Sequence, residues 1–242
     1  GCAACKHGPS ARRRGGNGHA SRKKNDDDWK RVCGEEYKAD PTLLAAIEAL
    51  DEAALKPALE AAVRAGRCLD GINLKGRKLS TRDSPIDLRR SRMGEAHLEK
   101  AILYQAHLEK ANLYQAHLEK ANLGGAHLEK AFLEKAHLEE ADLGGAHLEK
   151  AILYQAHLEK ADLGGAHLEK ANLRGAHLEK ANLGVAHLEK ADLRGAHLEE
   201  ADLRFAHLEK ADLGGAHLEE ADLEEAHLEE ADLGGAHLEK AI

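Results

Sequence analysis

The residues with the most latent chemistry in this chain are histidines at a fixed interval: His97, His107, His117, His127, His137, His147 and every tenth residue to His237, fifteen in all. Neutral imidazole is a ligand for zinc, nickel and copper, so the row is a set of candidate metal ligands. Glutamate follows each one two residues later, at Glu99, Glu109 and onward, usually with lysine beside it. A regular row repeats like groups, however. A metal centre needs three or four donors converging on one point, with outer partners that single out that point. The histidines are therefore expected to be outward stacking residues first and metal ligands second. A second group, Cys2, Cys5 and His7, has the C-x-x-C-x-H look of half a zinc site, but Cys33 and Cys68 are single and distant. Reduced, unligated cysteines are the expectation, and no cofactor is implied.

The elements that must carry these histidines follow from a shorter period. Alanine stands at 96, 101, 106, 111 and every fifth residue to 241, and leucine two later, at 98, 103, 108, 113, 118, 123 and onward to 238. In a helix, each five-residue step would rotate this apolar pair by about 140°, so no face would be apolar. Gly124-Gly125, Gly144-Gly145, Gly164-Gly165, Gly214-Gly215 and Gly234-Gly235 would each cost that helix roughly 2 kcal/mol, at about 1 kcal/mol per glycine. A short extended segment instead points the alanine and leucine to one side and the residue between them to the other. A turn must follow within the two remaining positions, where glycine accepts positive φ at no steric cost. The expected cores are Ala96, Ala101, Ala106, Ala111 and Leu98, Leu103, Leu108, Leu113, Leu118, Leu123, one pair per side of a coil.

The A-[DN]-L-x-x pattern, as in Ala141-Asp142-Leu143 or Ala121-Asn122-Leu123, resembles the pentapeptide-repeat proteins. That resemblance implies an all-β solenoid: a right-handed quadrilateral β-helix with four pentapeptides per coil and the alanine and leucine stacked inside. The ten-residue alternation adds its own reason for four sides, since twenty residues per coil put each AHLEK unit over another. This chain departs from the family pattern where histidine replaces Asp or Asn in every second unit, and again at Ile102, Phe132 and Ile152.

Around this body the chain divides. Residues 1–40 read as a disordered basic tail and linker, with Arg12-Arg13-Arg14 and Arg22-Lys23-Lys24 and no run able to build a core. Residues 41–66 read as a helical hairpin capping the first coil, one helix starting at Asp40-Pro41 and a second at about Pro57. Leucine at five-residue spacing appears over 67–85, before Arg82–Pro85 shifts the register by four, and the uninterrupted β-helix spans 86–242. Its 31 pentapeptides make nearly eight coils, a rod roughly 35 to 40 Å long at about 4.8 Å per coil.

Charge divides with it: residues 1–95 hold 20 basic and 14 acidic side chains, and residues 96–242 hold 15 and 29, recovering the net −8. There is no run of about 18 apolar residues for a membrane span and no apolar region of a secretory signal. Cytoplasmic location is the default expectation.

These features point away from an enzyme, because catalysis needs unlike groups in one concave place and a rod repeats like groups along flat faces. The leading expectation is a non-enzymatic structural or protein-interaction scaffold with an unknown protein partner. The resemblance supplies an alternative, since some pentapeptide-repeat proteins imitate DNA and occupy the DNA site of topoisomerases. Interleaved lysines and the basic tail weigh against it here. Metal binding by the histidine rows is a further alternative. Nucleic acid is not an expected partner beyond weak attraction to the basic tail 1–24. At the other end the sequence stops two residues into a new unit, at Ala241-Ile242. The expectation there is a bare final coil around Leu223, Leu228, Leu233 and Leu238, answered either by further chain or by an end-to-end homodimer.

Overall fold

The computed structural model describes residues 39–242, so the expectations placed on the basic tail and on Cys2, Cys5, His7 and Cys33 lie outside the described residues. Two helices come first. Asp40 Oδ1 accepts hydrogen bonds from the Thr42 and Leu43 backbone N–H groups at 2.9 and 3.4 Å, opening α1 (Pro41–Glu48). Asp51 accepts from the Ala54 N–H at 2.9 Å and opens α2 (Glu52–Arg64). The second helix therefore starts five residues ahead of Pro57, which lies inside it. An aspartate cap fixes the start, and the proline forgoes only one bond in the second turn.

The helices sit on the first coil of a solenoid. Ile47, Leu55, Leu59 and Ala62 share one buried cluster with Leu69, Ile72 and Leu74. Backbone donors of that coil are met by helix side chains, Asn73 N–H giving to Glu48 Oε1 at 2.7 Å and Asp87 N–H to Glu60 Oε1 at 3.1 Å. Lys56 Nζ donates to the Ser84 and Pro85 carbonyls at 2.9 and 3.0 Å.

From there the chain winds in coils of four sides. Parallel bridges link Asp87 to His107, Arg92 to Asn112, His97 to His117 and Ile102 to Asn122, and the twenty-residue step continues to His217 and His237. In the first coil the step is 24 residues, as in Cys68 to Arg92 and Lys78 to Ile102, because four additional residues are taken up where Thr81 and Ser84 form a small antiparallel bridge. Each side contributes a single bridging residue; no longer strand forms among the described residues. A corner every five residues leaves only the residue between alanine and leucine extended on both sides.

One side shows the whole bonding scheme. His117 N–H gives to Ala96 O at 2.9 Å, Leu98 N–H to His117 O at 2.7 Å, and Lys100 N–H to Glu119 O at 2.9 Å, while Ala101 N–H closes the corner on Leu98 O at 3.0 Å. Alanine and leucine fill the interior: Ala96, Ala101, Ala106, Ala111 and Leu98, Leu103, Leu108, Leu113, Leu118, Leu123 are all at most 1% exposed.

The corners fall at the two positions after each leucine, as expected, and glycine is not what most of them use. Positive φ falls only on the second corner residue, the type II pattern, and that residue is most often lysine, glutamate or glutamine: Lys100 at 60°, Gln105 at 54°, Glu140 at 56°. Glycine takes it at Gly125, Gly145, Gly165 and a few others. In the Gly-Gly pairs the first glycine has no positive φ to accommodate. One bond to the next coil and one closing the turn hold these strained residues in place.

Candidate functional site

The winding sorts the outward side chains into four faces, each carrying every twentieth residue. Two opposite faces carry histidine, one from His97 to His237 and the other from His107 to His227. The other two carry mostly Asp and Asn, from Ile102 to Asp222 and from Asn112 to Asp232. The scheme above leaves one backbone donor per side without a backbone partner: the N–H just after the leucine. On the Asp/Asn faces the side chain two residues earlier takes it, as in Gly144 N–H to Asp142 Oδ1 at 3.1 Å and Tyr114 N–H to Asn112 Oδ1 at 3.0 Å. This accounts for Asp or Asn at that point on these two faces.

Histidine cannot fill that role in the same way, and the following glutamate changes the local chemistry. Each glutamate turns back beside its own histidine, with Nδ1 to Oε1 separations of 3.3 to 3.6 Å from His97 through His217. A hydrogen bond from its own backbone N–H, with help from His207, holds the Glu209 carboxyl below the usual range. Burial pushes the Glu99 carboxyl up, but its own N–H and Lys75 outweigh that and lower it.

The imidazoles of successive coils stack face to face. Ring centres lie 4.8 to 5.0 Å apart along His117, His137, His157, His177 and His197, with planes within 4° of parallel. The candidate ligands His97, His117, His137 and His107, His127, His147 thus fall into two separate ladders, and a glutamate interleaves each pair. Groups of three donors lie within 4.8 Å of one another, including His197, Glu199 and His217, and Glu119, His137 and Glu139. The sequence shows the histidine row, but not that glutamate completes it. The signal was the constant two-residue offset, which in an extended segment puts both side chains on one face.

The corners beside the two ladders differ in charge. Along the His97 face, three of the five corner lysines are matched by acids one coil away: Lys120 with Glu140 at 3.3 Å, Lys180 with Glu200 at 3.3 Å, Lys240 with Glu220 at 2.6 Å. Along the His107 face the corner is lysine in six successive coils, Lys110 to Lys210. Only Lys210 forms an ion pair among the described residues, with Glu230 at 3.5 Å. Shallow grooves follow the His97 face, one lined by His97, His117, His137, Glu95 and Gln115 and another by His137, His157, His177, Gln115 and Gln155.

Three departures remain on the Asp/Asn faces. Ile102, Phe132 and Ile152 replace the capping side chain with an apolar one, so the N–H groups of Tyr104, Glu134 and Tyr154 lose that acceptor. Phe132 and Ile152 are bridged neighbours on one face, and Phe132 is 48% exposed. No helix among the described residues is long and apolar enough to cross a membrane.

Comparison with known proteins agrees with this geometry. The family model described as Pentapeptide repeats matches eight copies, over residues 86–119, 116–155, 151–184, 181–219 and 206–242. No curated protein matches significantly. Among solved structures, the chain is 37% identical to HetL, a pentapeptide repeat protein involved in heterocyst differentiation regulation from the cyanobacterium Nostoc sp. strain PCC 7120, covering 72% of this chain and 85% of that one with a TM-score of 0.45. It is 38% identical to the pentapeptide repeat protein Rfr23 from the cyanobacterium Cyanothece 51142 over 40% of this chain and 63% of that one, TM-score 0.36. QnrB1, a plasmid-mediated fluoroquinolone resistance protein, superposes with a TM-score of 0.55 over 64% of this chain and 86% of its own at 19% identity, a likeness of fold.

Proposed function

Because the chain belongs to the pentapeptide-repeat family, we propose that it is a non-enzymatic scaffold, a right-handed four-sided β-helix that docks a protein partner on a flat outer face. The observation that carries this reading is the Phe132–Ile152 pair. From Asn112 to Asp232 every other unit of this face holds Asp or Asn at the same position, and that side chain caps a backbone donor. Phenylalanine and isoleucine there supply no acceptor in place of the cap, and Phe132, 48% exposed, turns apolar surface outward, a local cost with no return inside the coil. Tyr154 lies on the same face beside Ile152, which supplies the aromatic composition of a binding hot spot. Such a surface suits a folded partner with an apolar patch of its own.

Several features support a docking role rather than chemistry. The grooves are shallow and lined by repeated His and Gln, and no nucleophile stands beside a base along them. Imitation of DNA is less well supported, because the six-lysine corner interrupts any continuous acidic stripe on that side. Topoisomerase inhibition in a supercoiling assay would favour mimicry instead.

The test is affinity capture with the full chain and with a Phe132→Asp, Ile152→Asp variant. The variant is expected to keep its melting temperature, or to gain slightly from two restored caps, and to lose the captured partner. A partner retained at wild-type level by a folded variant contradicts docking on this face.

A further inference from the structure

We propose that the histidine–glutamate ladder of the His97 face binds several divalent transition-metal ions, zinc foremost, each held by three donors drawn from two consecutive coils. The donor set is already assembled. His197, Glu199 and His217 offer two imidazoles and a carboxylate, His217, Glu219 and His237 repeat it one coil on, and Glu119, His137 and Glu139 offer one imidazole between two carboxylates. Two histidines and a glutamate leaving one open position is a recognised zinc arrangement.

The spacing fits. Bonds of about 2.0 to 2.1 Å in tetrahedral geometry place two ligand atoms about 3.3 Å apart. The Nδ1 to Oε1 separations on this face are 3.3 Å at His137, His177 and His197, long for a charge-assisted hydrogen bond but matched to two ligands of one ion. The third donor lies within 4.8 Å and closes by rotation of a half-exposed side chain. The glutamates supply an independent observation. On this ladder, as on its opposite, the glutamate Oε2 atoms, here from Glu99 to Glu219, are buried and take no hydrogen bond from another residue. A row of carboxylate oxygens withdrawn from solvent and met by no other residue favours a cation.

The surroundings select this ladder over its opposite. Both grooves run along the His97 face, giving ions a route to His97, His137 and His177, with Gln115 and Gln155 at the rim as neutral polar groups and Lys135 as the one rim cation. Three of its five corner lysines, Lys120, Lys180 and Lys240, are offset by Glu140, Glu200 and Glu220. On the His107 face, Lys110 to Lys190 are five successive corner ammonium groups without an ion pair, a field that repels a dication.

The experiment uses the full chain with Cys2→Ser, Cys5→Ser, His7→Gln and His19→Gln, which removes every other histidine and the Cys-x-x-Cys pair. After chelator treatment, zinc chloride uptake is measured by equilibrium dialysis and cobalt(II) by visible absorption. More than one zinc per chain and the intense bands of four-coordinate cobalt are expected. Glu→Gln at 119, 139, 159, 179, 199 and 219 should remove most of the bound zinc, whereas the matching change at 109, 129, 149, 169, 189 and 209 should leave most of it. No uptake, equal loss from both variants, or uptake unaffected by the first set would overturn the proposal. Should the multiple variants fail to fold, cobalt on the otherwise unaltered chain decides alone, and a six-coordinate aqueous-like spectrum overturns it.

Discussion

A single carboxylate illustrates how local geometry sets solution behaviour. Arg89 grips Asp87 with two hydrogen bonds, Nε to Oδ1 at 2.9 Å and Nη2 to Oδ2 at 2.6 Å. That grip, outweighing burial, lowers the Asp87 carboxyl from 3.8 to about 2. Arg194 on Asp192 and Arg204 on Asp202 repeat the contact; burial pushes the Asp192 carboxyl up, but the arginine and backbone bonds outweigh it, and both carboxyls are lowered. For a depressed acid the sign is fixed: the pair contributes to stability above the ordinary carboxylate value, and that contribution is lost as pH falls from there through about 2. Asp87 is partly exposed, so the effect is small and best read at the residue. Carboxyl NMR titration should place Asp87 near 2 in the wild type and return it toward the ordinary range in Arg89→Ala. An unchanged Arg89→Ala titration would exclude the pairing. This contact was not legible beforehand, because the pattern D-L-R says nothing about which way the arginine folds. What the sequence did show at this scale was the inward alanine and leucine, since only an extended five-residue side points both one way.

At the scale of one side and its corner, the ladder needs a left-handed residue every fifth position. Lysine, glutamine and glutamate tolerate it at moderate cost, but a β-branched residue does not. Val185 sits there with φ of 58° and is 52% exposed, so its side chain returns little burial for the strain. Val185→Gly is expected to stabilise the protein by about 1 kcal/mol, raising the melting temperature by roughly 2 to 4 °C in a chain of this size. A lower melting temperature would mean that the unfolded chain's gain in freedom outweighs the relieved corner. Glycine is the residue that takes a left-handed corner at no steric cost, yet few corners use it. Two hydrogen bonds, one to the next coil and one across the turn, instead impose the conformation on whatever residue is present. Periodicity reveals where a corner falls, but not which of its two residues turns left-handed. The second helix is a similar case: Pro57 marks a helix start by propensity, while Asp51 supplies the cap that extends it forward.

For the molecule as a whole, repetition is the property from which everything else derives. A twenty-residue coil converts sequence period into rows of identical groups about 4.8 Å apart, so that a single substitution such as Phe132 stands out and a constant pair such as His and Glu becomes a ladder. The ten-residue alternation made four sides legible, because three or five would have set AHLEK units over unlike neighbours. The carboxylate oxygens buried along the ladders were not legible, since their burial comes from stacking rather than from any single unit. The central claim is therefore the coil step, and it is measured by electron paramagnetic resonance between spin labels at Asp142→Cys and Asp222→Cys. Cys2, Cys5 and Cys33 would be replaced by serine, and Cys68 can remain, because it is buried and burial raises its thiol to about 11, which keeps it unreactive. Bridges carry Asp142 through Asp162, Asn182 and Asp202 to Asp222 in four steps, so the labels should stand about 19 Å apart, four times the inter-strand spacing. A narrow distribution near that value is the expected result. A broad distribution, or a separation approaching the roughly 120 Å of an 80-residue helix, would contradict the account.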